Sequence, residues 1–256
     1  MDTLLLLLAA SLLINIAMFL IAFKLKSDKL TDISYAVTFI VLAGTGFLYS
    51  DKSMYLTVLL MAIVLWAVRI GGFLLYRVIL NVKDQRFDGM REDFVRFARF
   101  WLTQGLAVWV ILIPALMAFS SGGGDMLSNV AILGLLIFTA GLAIESLADF
   151  QKHRFSRDAS NRNKWIETGI WSYSRHPNYF GEILVWVGVY VYSLQVLSPG
   201  QMLVGIVSPL FITTLLLFIS GIPILEKSAD KRWGNNKAYQ AYKRRTSLLV
   251  PLPKSD

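Results

Sequence analysis

The chain has 256 residues, 55% of them hydrophobic and only 16% charged, where an ordinary soluble domain carries roughly 25% charged residues. With no cysteine and two histidines, His153 and His176, it excludes disulfides, thiol nucleophiles and multi-histidine metal sites, and leaves carboxylates as the ligands available to a hard cation. A net charge of +8 would suit a nucleic-acid partner in a soluble protein, but its distribution along this chain points to a membrane instead.

Seven apolar runs approach the roughly 20 residues that a spanning helix needs: Leu4 to Phe23, Ile33 to Tyr49, Met54 to Leu80, Phe100 to Phe119, Asn129 to Ala148, Tyr179 to Leu197 and Met202 to Leu225. The first opens on Met1-Asp2 rather than on basic residues and is followed by Lys24, Lys26 and Lys29, so it reads as a retained span and not a secretion signal. All lysines and arginines except Lys52, Arg69 and Arg77 fall in the segments on one side of the predicted spans, including Lys83, Arg86, Arg91, Arg96 and Arg99 and the tail to Lys254. The positive-inside rule then predicts an all-α, polytopic membrane helix bundle of about seven transmembrane helices. Its N-terminus lies outside and its C-terminus in the cytoplasm. The loop with Gly122-Gly123-Gly124 has no preceding strand and reads as a flexible outer turn, not a phosphate loop.

Polar residues inside apolar runs mark the candidate site. Asp32 and Tyr35 open the second run three residues apart on one helix face, where Asp32 also suits a helix cap. Arg77 is close enough to the end of the third run to reach the interface, whereas Arg69 lies about two turns deeper and calls for an anion inside the bundle. Glu145 and Asp149, four apart at the end of the fifth run, share a face. Arg69, Arg77 or ligand hydroxyls are their natural partners.

The most informative stretch is Gly169-Ile170-Trp171-Ser172-Tyr173-Ser174-Arg175-His176-Pro177-Asn178-Tyr179-Phe180-Gly181-Glu182. Pro177 suits the first turn of a helix beginning near Tyr179, with His176 or Asn178 as cap. Free N–H groups there, beside Arg175, make an anion site, and Glu182 would accept from an amide, ribose or ammonium group. An interfacial helix start anchored by Tyr179 and Trp171 is the plainer alternative. The tail after Leu225, with Trp233, Tyr239 and Tyr242 among basic residues, suits an amphipathic helix.

This run resembles the C-terminal domain of steroid 5-alpha-reductases and sterol reductases, and is most similar to an uncharacterised bacterial branch grouped with them. The resemblance covers the whole layout, including the arginine-bearing third run, Asn163-Lys164-Trp165-Ile166, and the Trp233-Gly234, Tyr242 and Pro251 tail. It implies one membrane domain over residues 1–256, with a lipid-substrate half at 1–120 and a cofactor-binding half at 121–256. The implied activity is an NADPH-dependent saturation of a C=C bond in a steroid-like or other lipid enone, in a bacterial inner membrane, with the site open to the cytoplasm. Arg69 and Arg77 then face the NADPH phosphates. Glu145, Asp149, Tyr173, Arg175, His176, Asn178, Tyr179, Glu182 and Tyr242 surround the cofactor, with no metal. Trp66 stands where steroid reductases have a tyrosine, and the second run has no glutamate, so Asp32 and Tyr35 are the candidate catalytic acids. Membrane lipids and a lipid substrate are the expected partners, and nucleic acid is not. Membrane methyltransferases of the isoprenylcysteine or phospholipid type, which use S-adenosylmethionine, share an Arg-His-Pro-x-Tyr-x-Gly motif and a similar tyrosine-rich tail. They carry adjacent acids where this chain has Glu226-Lys227. A non-enzymatic binding or transport protein is the third reading.

Overall fold

The computed structural model describes residues 2–80 and 87–253, so Lys83, Arg86 and Lys254, counted above, lie outside the described residues. Among those, the long elements are all helical: α1 (Asp2–Lys24), α2 (Thr31–Leu48), α3 (Met54–Leu80), α4 (Phe94–Ser121), α5 (Asn129–Arg157), α6 (Pro177–Ser193), α7 (Pro199–Gly205), α8 (Val207–Thr214), α9 (Ile222–Trp233) and α10 (Lys237–Arg245). β pairing among them is an isolated bridge between Ser174 and Ser247. Six stretches of the described residues are long and apolar enough to cross a membrane, as a polytopic membrane protein requires. The run from Tyr179 to Leu197 accounts for the difference from the seven expected. Its helix, α6, starts at Pro177, ends at Ser193 and has 17 residues, the short end of what spans a bilayer. The last stretch, Pro199–Trp233, is not one helix but α7, α8, a π turn at Leu215–Ile219 and α9.

The chain divides into two compact units, Met1–Ile132 with Val189–Ser208, and Leu133–Gly188 with Pro209–Asp256. The chain re-enters the first unit after Gly188 and leaves it again after Ser208.

In the first unit α4 is central, packing on α1, α2, α3 and α7. Of its apolar stretch 67% is buried, against 22% for α1. Packing between apolar helices gains little from solvent exclusion inside lipid, so polar contacts and close approach must add specificity. Here Ser11 Oγ donates to the Gly105 carbonyl at 2.7 Å, and Gln104 Nε2 lies 2.7 Å from Ser34 Oγ and 3.1 Å from Asn15 Oδ1. Asn15 Nδ2 in turn reaches the Ser11 carbonyl at 2.9 Å and Thr38 Oγ1 at 3.3 Å. Tyr55 and Tyr192 stack with centroids 4.7 Å apart, each hydroxyl donating to the other's carbonyl at 2.8 Å. Within the glycine triplet, Gly122 and Gly123 are closely fitted, while Gly124 is exposed. Gly122 takes φ +80°, Gly123 donates its N–H to Asp51 at 2.9 Å, and a Cβ on Gly123 would fall 2.6 Å from Ser53 Oγ.

In the second unit α5 and α6 meet backbone to backbone along a seam of glycines. A methyl on Gly181 would fall 2.5 Å from the Glu145 amide nitrogen and 2.7 Å from the Gly141 carbonyl. One on Gly188 would collide with Phe138 and approach the Gly134 carbonyl to 2.8 Å. Gly134 and Gly141, like Gly181 and Gly188, are seven residues apart, two helical turns, so each pair lies on one face. The seam sets Glu145 against the first turns of α6.

Candidate functional site: an aromatic cleft around Glu226

The helix-start motif is held from three directions within the second unit. Gly169, at φ +61°, lets the chain turn beside Gln151, whose Oε1 accepts the Ile170 N–H at 3.0 Å. Trp171 then drops into a cluster with Ala148 and Ile166 and donates its indole N–H to the Ala148 carbonyl at 3.0 Å. From the other side the tail returns alongside the motif. Arg175 N–H donates to the Ser247 carbonyl at 2.9 Å, Ser174 Oγ to the Leu249 carbonyl at 2.6 Å, and Leu252 N–H to the Tyr173 carbonyl at 3.2 Å. Ser174 Oγ also accepts the His176 N–H at 3.1 Å. Pro177 occupies the first position of α6, two residues earlier than expected, because its fixed φ and missing N–H suit that place.

The third direction is α9. At Gly221 the chain bends, with φ −98° and ψ −100°, where a Cβ would meet the Leu216 carbonyl at 2.5 Å. The bend and Pro223 start a new helix that carries Glu226 to the motif. Glu226 accepts from Arg175 Nη1, from His176 Nε2 at 2.9 Å and from Lys243 Nζ at 3.1 Å. Lys243 is shared with Asp230 at 2.7 Å. Burial pulls the Lys243 ammonium toward its neutral form, but these two carboxylates outweigh it and hold its pKa above the ordinary value.

His176 is 5% exposed. Burial lowers its pKa below the ordinary 6.5, and the Glu226 hydrogen bond offsets this only in part. The imidazole is therefore neutral near pH 7, and with Nε2–H given to Glu226 it keeps a lone pair on Nδ1. Nδ1 is buried with no hydrogen-bond partner, as are Arg175 Nε and Trp165 Nε1. Buried polar atoms left unpaired are uncommon and call for a partner. These three belong to residues lining one cleft of about 490 Å³.

The cleft walls are aromatic. Trp165, Trp233 and Tyr239 pack with centroids 5.2 to 6.1 Å apart, and Trp171, Phe155 and Tyr242 also line it. Tyr242 donates its hydroxyl to the Trp171 carbonyl at 3.0 Å, and burial raises its pKa and that of Tyr239. Lys152 Nζ sits 4.8 Å over the Trp171 ring.

Of the residues singled out in the sequence, the structure brings Arg175, His176 and Tyr242 to this cleft. Tyr179 lies beside it, its ring parallel to His176 at 5.8 Å. Glu145 and Asp149 are buried, at 2% and 7% exposed, on α5. Asn178 holds a buried Oδ1 without a partner in the first turn of α6, and Glu182 is half-buried one turn on. Tyr173 is 48% exposed. Asp32, Tyr35, Arg69 and Arg77 belong to the first unit. There Arg77 pairs with Asp32 at 3.6 Å, Tyr35 packs edge-on against Phe39 and Trp66, and the Arg69 guanidinium lies 5.9 Å from the Phe73 ring centre. Sequence reasoning noted Glu226 only as half of a missing acid pair. Its spacing of four from Asp230 and the basic run that follows were the available signal.

A family profile described as "Protein of unknown function (DUF1295)" matches residues 18–246. Over 63 residues the chain is 35% identical to a "Probable O-methyltransferase ustE" of Ustilaginoidea virens, a match covering 24% of this chain and 22% of that protein. The match thus spans about a fifth of that relative's length. No solved structure matches the chain. These findings correct the reductase expectation. The likeness to a named activity is to a probable O-methyltransferase and not to an NADPH-dependent reductase of a C=C bond, and the oxidoreductase assignment falls with it. The family match is to a family of unknown function and does not tie the chain specifically to steroid or sterol reductases.

Proposed function

The chain belongs to the DUF1295 family of unknown function, and on that premise we propose that it is a multi-pass membrane methyltransferase using S-adenosylmethionine, with its cleft on the cytoplasmic side. The observation that carries this reading is the meeting of Arg175, His176 and Glu226 in one aromatic cleft, in a chain similar over part of its length to an O-methyltransferase.

The residues fit the donor. Its carboxylate asks for an N–H, and Arg175 Nε has one buried and unpaired; its ammonium asks for an acceptor, and His176 Nδ1 offers a lone pair. Its adenine suits the cleft's aromatic walls, and a sulfonium is drawn to ring faces as other cations are. When bound, the donor would supply an electrophilic methyl carbon to an acceptor oxygen, the S–C bond pair staying on sulfur and the proton of a hydroxyl acceptor leaving to water. Glu226 fixes the tautomer of His176 and the orientation of Arg175. Trp165, Trp171 and Tyr242 exclude water from the walls.

The test is binding of S-adenosylmethionine and S-adenosylhomocysteine to the detergent-purified chain, by thermal shift and calorimetry. Because a ligand that prefers the native state raises its apparent stability, both should raise the melting temperature, and Arg175→Gln should remove most of the effect. No binding of either refutes the proposal.

A further inference from the structure

The cleft holds more positive charge than the methyl donor accounts for. Besides Arg175, its lining includes Arg162, Lys164 and Arg232, and S-adenosylmethionine is itself a cation at neutral pH. Arg232 is tied to the short segment that carries the other two. Asn163, at φ +64°, lies between Arg162 and Lys164, accepts Arg232 Nη2 on its side-chain oxygen at 2.6 Å, and accepts the Trp233 indole N–H on its carbonyl at 2.8 Å. Like charges gathered around an amide repel unless an anion joins them.

The neighbouring acids of this unit are engaged elsewhere. Glu226 holds Arg175, His176 and Lys243, and Asp230 holds Lys243. Glu167 pairs with Arg245 at 2.8 Å. Asp158 accepts the Ser160 N–H at 2.8 Å, capping its own turn, and attracts Lys164 without forming an ion pair. Among the described residues no carboxylate comes within ion-pair distance of Arg162, Lys164 or Arg232. Trp165 Nε1, buried and unpaired in the same wall, is a further donor seeking an acceptor.

We propose that Arg162, Lys164 and Arg232 form an anion subsite at the rim of the cleft that takes a phosphate group carried by the methyl acceptor. This deepens the methyltransferase reading and rests on it for the word acceptor; the anion subsite itself rests on the charge arrangement. Arginine and lysine around a shared pocket suit phosphate, which offers oxygen acceptors on several sides. The phosphate belongs either to a lipid headgroup or to a soluble phosphorylated compound.

The test uses the full chain in phosphatidylcholine nanodiscs, with and without phosphatidylglycerol, and in detergent with inorganic phosphate against chloride at matched ionic strength. All three rim residues are exposed, so a triple Arg162→Gln, Lys164→Gln, Arg232→Gln variant should fold. Arg154→Gln, Arg157→Gln, Arg244→Gln removes the same charge from exposed positions outside the cleft lining. The rim variant should lose anion binding by about fivefold per charge removed, with S-adenosylmethionine binding not weakened, while the reference variant stays close to wild type. Binding of phosphatidylglycerol without response to inorganic phosphate assigns the subsite to a lipid headgroup; response to both assigns it to phosphate at large. Equal losses in the two variants, or no loss in either, overturn the proposal. Selective loss in the rim variant without S-adenosylmethionine binding in any form leaves the anion subsite standing and removes the methyltransferase reading.

Discussion

Replacing Glu226 tests the centre of the site. Its carboxylate serves two cations and the His176 imidazole, but Lys243 keeps Asp230 at 2.7 Å when Glu226 is gone, so the loss falls on Arg175 and His176. Their side chains are 14% and 6% exposed and that of Glu226 is 19%. Removing one partner of a fully buried pair costs about 3–5 kcal/mol, and partial access to water brings Glu226→Ala to roughly 3 kcal/mol. Gln keeps the shape and one acceptor oxygen, so Glu226→Gln should cost about 2 kcal/mol. For a chain of this size that is roughly 4–8 °C of melting temperature, followed by tryptophan fluorescence in detergent, since Trp165, Trp171 and Trp233 line the cleft. Combining Glu226→Gln with Arg175→Gln should cost less than the sum of the two by about 1 kcal/mol or more, as for groups in direct contact. A Glu226→Gln protein within ~0.5 kcal/mol of wild type, as for an ordinary surface change, would show that the hub stabilises nothing and refute the reasoning.

His176, with its folded pKa below 6.5, binds fewer protons in the native state than in the unfolded chain. Its contribution to stability is therefore complete above about 6.5 and declines as pH falls toward the lower folded value; thermal unfolding between pH 7.5 and 5.5 should show this slope, and His176→Gln should flatten it. Gly181→Ala should destabilise by about 1–3 kcal/mol, because the new methyl meets α5 backbone and the helices must separate. Gly44→Ala in α2, where nothing lies within 4 Å, should instead be neutral or stabilising by up to ~1 kcal/mol, and equal melting temperatures for the two variants would contradict the seam. Gln104→Leu should cost about 1–2 kcal/mol by removing the donor that joins Asn15 and Ser34, and an unchanged unfolding temperature would show the polar contacts to be dispensable.

The all-α membrane character was legible because hydropathy and charge distribution record it directly, and α6 is shorter than its apolar run because that run continues past Ser193 while its helix does not. The helix-start motif was legible because Pro177, Arg175 and His176 constrain local chemistry. What Arg69 and Arg77 face was not. An arginine in an apolar run calls for an anion, but periodicity does not say which, and Asp32, read as a catalytic acid or a cap, turned out to meet Arg77. The reductase reading failed for a different reason, the likeness of part of the chain to an O-methyltransferase.

Glu226 shows why a local pattern can understate a residue. Read along the sequence, Glu226 beside Lys227 lacks a neighbouring acid and looks like one charge in a mixed tail. In the fold the relevant neighbours are Arg175 and His176, about fifty positions earlier, and Lys243, one helix later. What joins them is the tail itself: Ser247 and Leu249 accept from Arg175 and Ser174, and Ser174 passes the contact to the His176 amide. The residues after α10, Thr246 to Pro253, mostly apolar and without a charge, thus fix the backbone on which Arg175 and His176 stand. Their influence acts through main-chain atoms, which the identities of the side chains do not disclose.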